Sequence, residues 1–201
     1  MNQSQNRILV LKICVGAMLT ALVFAGNYAR IVLPLSIGGQ TAFTLANILC
    51  TLSGLLLGPW WGFAAAGLGS ALYDLTNPAY AAEAPLTFFY KGVYGLVAGL
   101  VLHYVFVKLL KKERGSYLPM LVSALCAALA FLLVYSAKVY FYNGMILQGF
   151  TQPAQCWALI VAKLPATLFN GGIAVIFAPV LGVAIDKALK AAHLDQVIAR
   201  Q

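Results

Sequence analysis

The sequence predicts an all-α integral membrane protein: six transmembrane helices in a single bundle, one domain over residues 1–201, with both termini cytoplasmic. Three observations lead there. Hydrophobic residues make up 62% of the 201 and charged residues 9%, with a mean hydropathy of +0.89, whereas soluble domains carry about 25% charged residues. The apolar runs approach the roughly 20 residues that a helix needs to cross hydrocarbon. They are rich in Leu, Ala, Val and Gly and too long for barrel strands of roughly 9–11 residues, so helices must satisfy the backbone internally.

The first run, Ile8–Arg30, exceeds the roughly 7–15-residue apolar core of a signal peptide and lacks a convincing cleavage site, so it is expected as a membrane helix. The second, Thr41–Leu57, ends at Gly58-Pro59. The third, Trp60–Leu75, stops near Asn77-Pro78, a turn-forming pair. These two are short and closely joined, which predicts a tight hairpin. Gly54, Gly58 and Gly62 recur every four residues around the turn and permit close backbone approach. The fourth helix is expected over Pro85–Leu110, the fifth over Tyr117–Tyr142 and the sixth over Gln155–Leu189.

Orientation follows from Lys and Arg near the helix ends. Arg7 and Lys12, then Lys108, Lys111, Lys112 and Arg114, then Lys187, Lys190 and Arg200 all fall on one side of a six-helix plan, which is therefore cytoplasmic. Anchoring on that side accounts for most of the net charge of +8 without nucleic acid. Cys14, Cys50, Cys126 and Cys156 lie scattered in apolar runs without metal-ligand spacing and read as packing residues. No metal site and no cofactor is expected.

The stretch "SALYDLTNPAYAAEAPLTFFYKG", residues 70–92, places Asp74, Glu83 and Lys91 close together in a chain short of charge. Asp74 and Glu83 are expected in an outer loop, as counter-ions, as groups closing over a pocket, or simply as solvated residues. Lys91 lies about 9 Å below the outer end of its helix at 1.5 Å per residue. Lys138 and Lys163 fall at similar depth on the fifth and sixth helices. An ionisable group inside a span costs on the order of 2.5–3.5 kcal/mol and tends to face a partner or an aqueous cavity. Each lysine alone can snorkel to the outer headgroups. Three at matched depth favour an outward-opening pocket between the last three helices.

Helical phase adds polar companions. Lys91 shares a face with Tyr94, Tyr135 with Lys138 and Tyr142, and Lys163 with Thr167 and Asn170. The candidate binding set is therefore Lys91, Tyr94, Tyr135, Lys138, Lys163, Thr167, Asn170 and Asp74. A mostly apolar pocket with a few convergent polar groups is the usual form of a small-molecule site. An interfacial aromatic belt explains Tyr80 and Tyr142 equally well. If Lys138 and Lys163 line the pocket, they favour a ligand with a carboxylate, a phosphate or strong acceptors. The other outer loop, "LPLSIGGQT" at residues 33–41, holds Gly38 and Gly39, whose backbone freedom suits a gate.

The first helix carries Ala17, Ala21 and Ala25 at four-residue spacing. Such a stripe lets another helix approach closely, within the same bundle or on another subunit.

Taken together, the six-helix N-inside plan, the alanine stripe and the run "LLLGPWWGFAAAGLGSALYDL…APLTFFYKGVYGLVAGL" resemble an S-component of an energy-coupling-factor (ECF) vitamin importer, of the riboflavin/pyridoxine/hydroxymethylpyrimidine type. "LPATLFNGGIAVIFAPVLG", with Asn170 and Pro179, is similar to the family's sixth helix. The resemblance covers nearly the whole chain. It implies a multi-pass protein of the bacterial plasma membrane that binds a water-soluble vitamin or precursor from outside. It also implies that Ala17, Ala21 and Ala25 face a transmembrane coupling subunit, driven by two cytoplasmic ATPases, on which the S-component docks and topples to deliver its substrate. Lys91 falls in a stretch shared across that branch, and the substrate does not follow from the resemblance.

No ATP-binding loop, H-E-x-x-H, G-x-S-x-G or paired acidic metal motif is present, so no catalytic residue and no enzyme activity is expected. His103, near an inner helix end, and His193, in the tail, read as interfacial or solvated. A stand-alone secondary transporter or small channel for a polar or anionic metabolite is the alternative; inverted repeats would support it, and none is evident.

Overall fold

The computed structural model describes residues 3–34 and 40–192. Six helices occur in the order α1 (Gln3–Tyr28), α2 (Ala46–Leu57), α3 (Pro59–Thr76), α4 (Ala84–Gly99), α5 (Tyr117–Lys138) and α6 (Pro153–Ala191). Two strands, β1 (Arg30–Pro34) and β2 (Gln40–Thr44), pair antiparallel between α1 and α2. Gly38 and Gly39, the expected gate residues, lie outside the described residues, as does His193.

The hairpin corrects the expectation of a plain loop over 33–41 and of a helix starting at Thr41. "QTAFT" carries β-branched and aromatic residues that suit a strand. Its last residue also starts the helix, since the Thr44 hydroxyl accepts from the Ala46 N–H at 3.1 Å. At the other boundaries the outcome is a shift of few residues, except on α4 and α5. Both run on in a wider, π-type winding, over Leu100–Leu109 and Val139–Leu147, so the fifth helix extends past its expected end at Tyr142.

Among the described residues, four stretches are long and apolar enough to cross a membrane: Leu9–Tyr28, Ala81–Leu109, Tyr117–Leu147 and Pro153–Ala191. Their outward faces carry large apolar side chains in the open, Leu133 at 72% and Ile146 at 71% exposed among them. Exposure on that scale suits hydrocarbon as the solvent. α2 is different. Nearly all of its residues are buried, so it forms the centre of the bundle.

Three glycines explain how α2, α3 and α4 come so close. A methyl group on Gly54 would strike the Gly95 carbonyl, one on Gly62 would meet the Gly54 backbone, and one on Gly95 would strike the Gly62 carbonyl. The backbones touch directly, the arrangement that small residues allow in membrane bundles. Gly58 turns α2 into α3 with φ +83°, a region open to glycine. Around this crossing, Val23, Leu55, Ala98, Leu102, Met120 and Ala178 fill a continuous core.

At the end holding the 110–116 connection, Asp186 of α6 is buried and paired with Arg114 at 3.0 Å and Lys190 at 3.1 Å. Two of the basic residues expected as surface anchors are thus also structural partners. His103 corrects its expectation too: it is buried, and Nε2 donates to the Leu55 carbonyl at 3.1 Å. An imidazole at that depth needs an acceptor, and the last turn of α2 supplies one.

Gly95→Ala is expected to destabilise the bundle by about 1–3 kcal/mol through overpacking. Gly172→Ala, where a methyl group meets open space, is expected to change nothing. Thermal unfolding in detergent, compared between the two variants, is the measurement; equal melting points would remove the crossing as a packing constraint.

Candidate functional site

A cavity of about 360 Å³ lies at the hairpin end of the bundle, enclosed by the ends of α1, α2 and α3, the β-hairpin, the 77–83 connection and α4, α5 and α6. Seven of the eight expected binding residues border it: Asp74, Lys91, Tyr135, Lys138, Lys163, Thr167 and Asn170. Tyr94 does not. It is fully buried one turn deeper, stacked on Phe131 with ring centroids 4.4 Å apart. Three residues from Lys91 is also one turn farther from the mouth, and Phe131 roofs that level.

One wall is aromatic. Phe131 and Tyr135 are one turn apart on α5 and stack at 5.4 Å with an 11° interplanar angle. Tyr90 of α4 joins them at 5.8 and 5.5 Å. Flat faces presented in series suit an aromatic ligand ring, which gains offset or edge contacts beyond its buried area.

The opposing polar groups are mostly matched within the protein. Lys91 donates to the Asn47 Oδ1 and lies 5.4 Å from the centre of the Phe131 ring. Asp74 was expected in a loop, but it sits within the last turns of α3, among Thr87, Lys91 and Arg30. Glu83 occupies a single helical turn, Ala81–Glu83, that leads into α4. Its Oε2 pairs with Lys138 and its Oε1 accepts from Asn143 Nδ2 at 3.1 Å. Lys138 and Asn143 are five residues apart. An ordinary α-helix would splay them, but the π-type turn after Lys138 closes over five residues and brings both to one carboxylate. The Lys138 ammonium is further surrounded by the rings of Tyr90, Tyr135 and Tyr142 at 5.7–5.9 Å. Tyr142 is thus bound into the mouth of the cavity.

Asn170 takes a different part from that expected of it. Its Nδ2 donates to the Ala42 carbonyl at 2.7 Å and its Oδ1 accepts from the Thr44 N–H at 2.8 Å. The side-chain amide pairs with the edge of β2 as a neighbouring strand would, and pins the hairpin to α6. Arg30, at the base of β1, is held between the rings of Tyr73 and Tyr80 at 4.6 and 4.8 Å. Burial pushes the Tyr80 phenol up, so it meets the guanidinium as a neutral ring.

Arg30, Asn47, Tyr90, Phe131 and Asn143 also line the cavity and were not among the expected residues. Asn47 is legible in retrospect as a lone amide in an apolar run. Phe131 and Tyr90 are indistinguishable by sequence from the other aromatics of a chain with 11 Phe and 10 Tyr.

A second concavity, about 680 Å³ and almost entirely apolar, runs along the outside of α1 and α3 between Gly16, Ala17, Thr20, Ala21, Trp61 and Ala64. α1 has two faces. Gly16, Leu19, Val23 and Asn27 are buried against the bundle, whereas Ala17, Ala21 and Ala25 point outward and are exposed. The stripe is not consumed by packing within the bundle. Ala17 and Ala21 border the groove; Ala25 lies beyond it.

With this geometry in place, comparison with family models finds one match: residues 7–187 fit the model described as ECF-type riboflavin transporter, S component. Comparison with curated proteins gives no match.

The two hydrogen bonds of Asn170 generate a specific expectation. Asn170→Ala should free β2, so that backbone amide exchange at Thr44 accelerates at least tenfold while exchange within α2 is unchanged. Hydrogen–deuterium exchange of the purified protein measures this, and unaltered protection at Thr44 would show that the hairpin is held by other contacts.

Proposed function

The chain belongs to the ECF-type riboflavin transporter S-component family, and from that premise we propose that it captures a flat, acceptor-rich vitamin or vitamin precursor in the cavity beneath the hairpin and passes it to an ECF coupling module. As an S-component it is a multi-pass membrane protein and the substrate-binding subunit of a transporter, a role without catalysis of its own. The observation that carries the substrate class is the aromatic wall of Tyr90, Phe131 and Tyr135 opposite a set of charged and amide groups in a cavity of about 360 Å³. That volume is within the range of small-molecule sites. Riboflavin, named in the family's description, is the first ligand to test.

In this reading the cavity end faces the outside of a bacterial plasma membrane and the end with Arg114, Lys187 and Lys190 faces the cytoplasm, in keeping with the distribution of basic residues. Ligand enters past the hairpin, which Asn170 then holds against α6. The ring lies on the aromatic wall and water is displaced. Release requires reorienting the bundle within the membrane. The exposed alanine stripe of α1 supports the docking half of this scheme: with no side chain longer than a methyl group along Ala17, Ala21 and Ala25, a partner helix can approach to backbone distance. Two cytoplasmic ATPases bound to the coupling subunit supply the energy.

Ala21→Leu is expected to leave ligand affinity unchanged and to abolish ATP-driven uptake, because the added side chain fills the approach path on α1. Calorimetric titration of the purified chain reads the affinity, and uptake in proteoliposomes reconstituted with an ECF module, with riboflavin and related ring vitamins as substrates, reads transport. Transport by the chain alone, without ATP, would replace this reading with a stand-alone carrier.

A further inference from the structure

Building on the S-component reading, we infer that the ligand carries an anionic group, a carboxylate or a phosphate, seated against the Lys163 ammonium on the α6 side of the cavity. The four cations lining the cavity are not equivalent. Lys91 is held by Asn47, Lys138 by Glu83, and Arg30 by two tyrosine rings. Lys163 borders the cavity at 7% exposure with no hydrogen-bond acceptor or carboxylate within bonding distance among the described residues. A buried ammonium costs several kcal/mol unless something compensates it, and unpaired buried cations persist chiefly where a ligand completes them.

Among the described residues, no carboxylate is free to do so. Glu83 is divided between Lys138 and Asn143, and Asp74 lies across the cavity at the end of α3. Four cations therefore line the cavity against two carboxylates, a surplus of positive charge that an anion would relieve. Next to Lys163, the Thr167 hydroxyl donates to the Lys163 carbonyl at 2.9 Å, so its proton is spent and the ammonium is the strong donor there. Lys163 and Thr167 also border Tyr135 in a small void between α5 and α6, which puts Lys163 beside the aromatic wall. A ring lying on that wall would extend a substituent toward Lys163. A charge-assisted hydrogen bond of this kind is roughly twice as strong as a neutral one.

The test uses the purified full chain in detergent, titrated calorimetrically with three pairs of ring compounds that differ mainly in an anionic group: nicotinate and nicotinamide, 4-pyridoxate and pyridoxine, flavin mononucleotide and riboflavin. In at least one pair the anion is expected to bind at least tenfold more tightly, about 1.4 kcal/mol. Lys163→Met should erase that preference and Lys163→Arg should retain it. Equal or tighter binding of the neutral member in every pair, no binding by any anion, or an undiminished preference in Lys163→Met would each overturn the inference. The wild-type comparison decides the matter even where the methionine variant does not fold. ATP-driven uptake of a neutral ring with the ECF module would keep the S-component reading while removing this one, so the two fail separately.

Discussion

The cost of holding a charge away from water organises the functional end of this protein. The chain has 13 basic and five acidic residues, and four of the former and two of the latter surround one cavity. Each is costly there unless something compensates it. Lys138 takes a carboxylate and a cage of three rings, Lys91 an amide oxygen, and Arg30 two aromatic faces. These pairings hold α2, α3, α4, α5 and the first strand in register around the cavity. They also single out Lys163, for which no counterpart stands within bonding distance among the described residues.

That arrangement stands on an apolar foundation. Direct backbone contact at Gly54, Gly62 and Gly95 draws α2, α3 and α4 together, and a continuous apolar core packs around them. The cavity lies where the hairpin and the 77–83 connection cap the helices. The π-type continuation of α5 belongs to the same design. It shifts the helix phase at the mouth of the cavity, so that Lys138 and Asn143 converge on Glu83. A regular helix would have presented one of the two to lipid.

The two concavities differ in kind and lie on different parts of the molecule. One is polar, partly enclosed and lined by every helix. The other is apolar, open and made by α1 and α3 alone. α1 separates their requirements by phase: Gly16, Leu19, Val23 and Asn27 meet the bundle, and Ala17, Ala21 and Ala25 meet the exterior. Ligand capture and docking can therefore be altered independently, since a substitution on the outward stripe leaves the cavity lining untouched.

By itself the sequence determined the membrane class, six helices to within a few residues at most ends, and the four-residue spacing of the alanine stripe on α1. These depend on composition and on the 3.6-residue period, which are local properties of the chain. Only the tertiary structure decided the partners. The strand edge paired with Asn170 is 126 residues away in sequence from it, and the carboxylate of Lys138 is 55 away, distances over which periodicity carries no information. The strands escaped notice because five-residue segments between two apolar helices leave no period to read, and Tyr94 was misplaced because phase gives a face but not which turn of that face is roofed by Phe131. Side chains that look alike in a pattern, three lysines at one depth, became three different chemical states once the fold had chosen what stood opposite each.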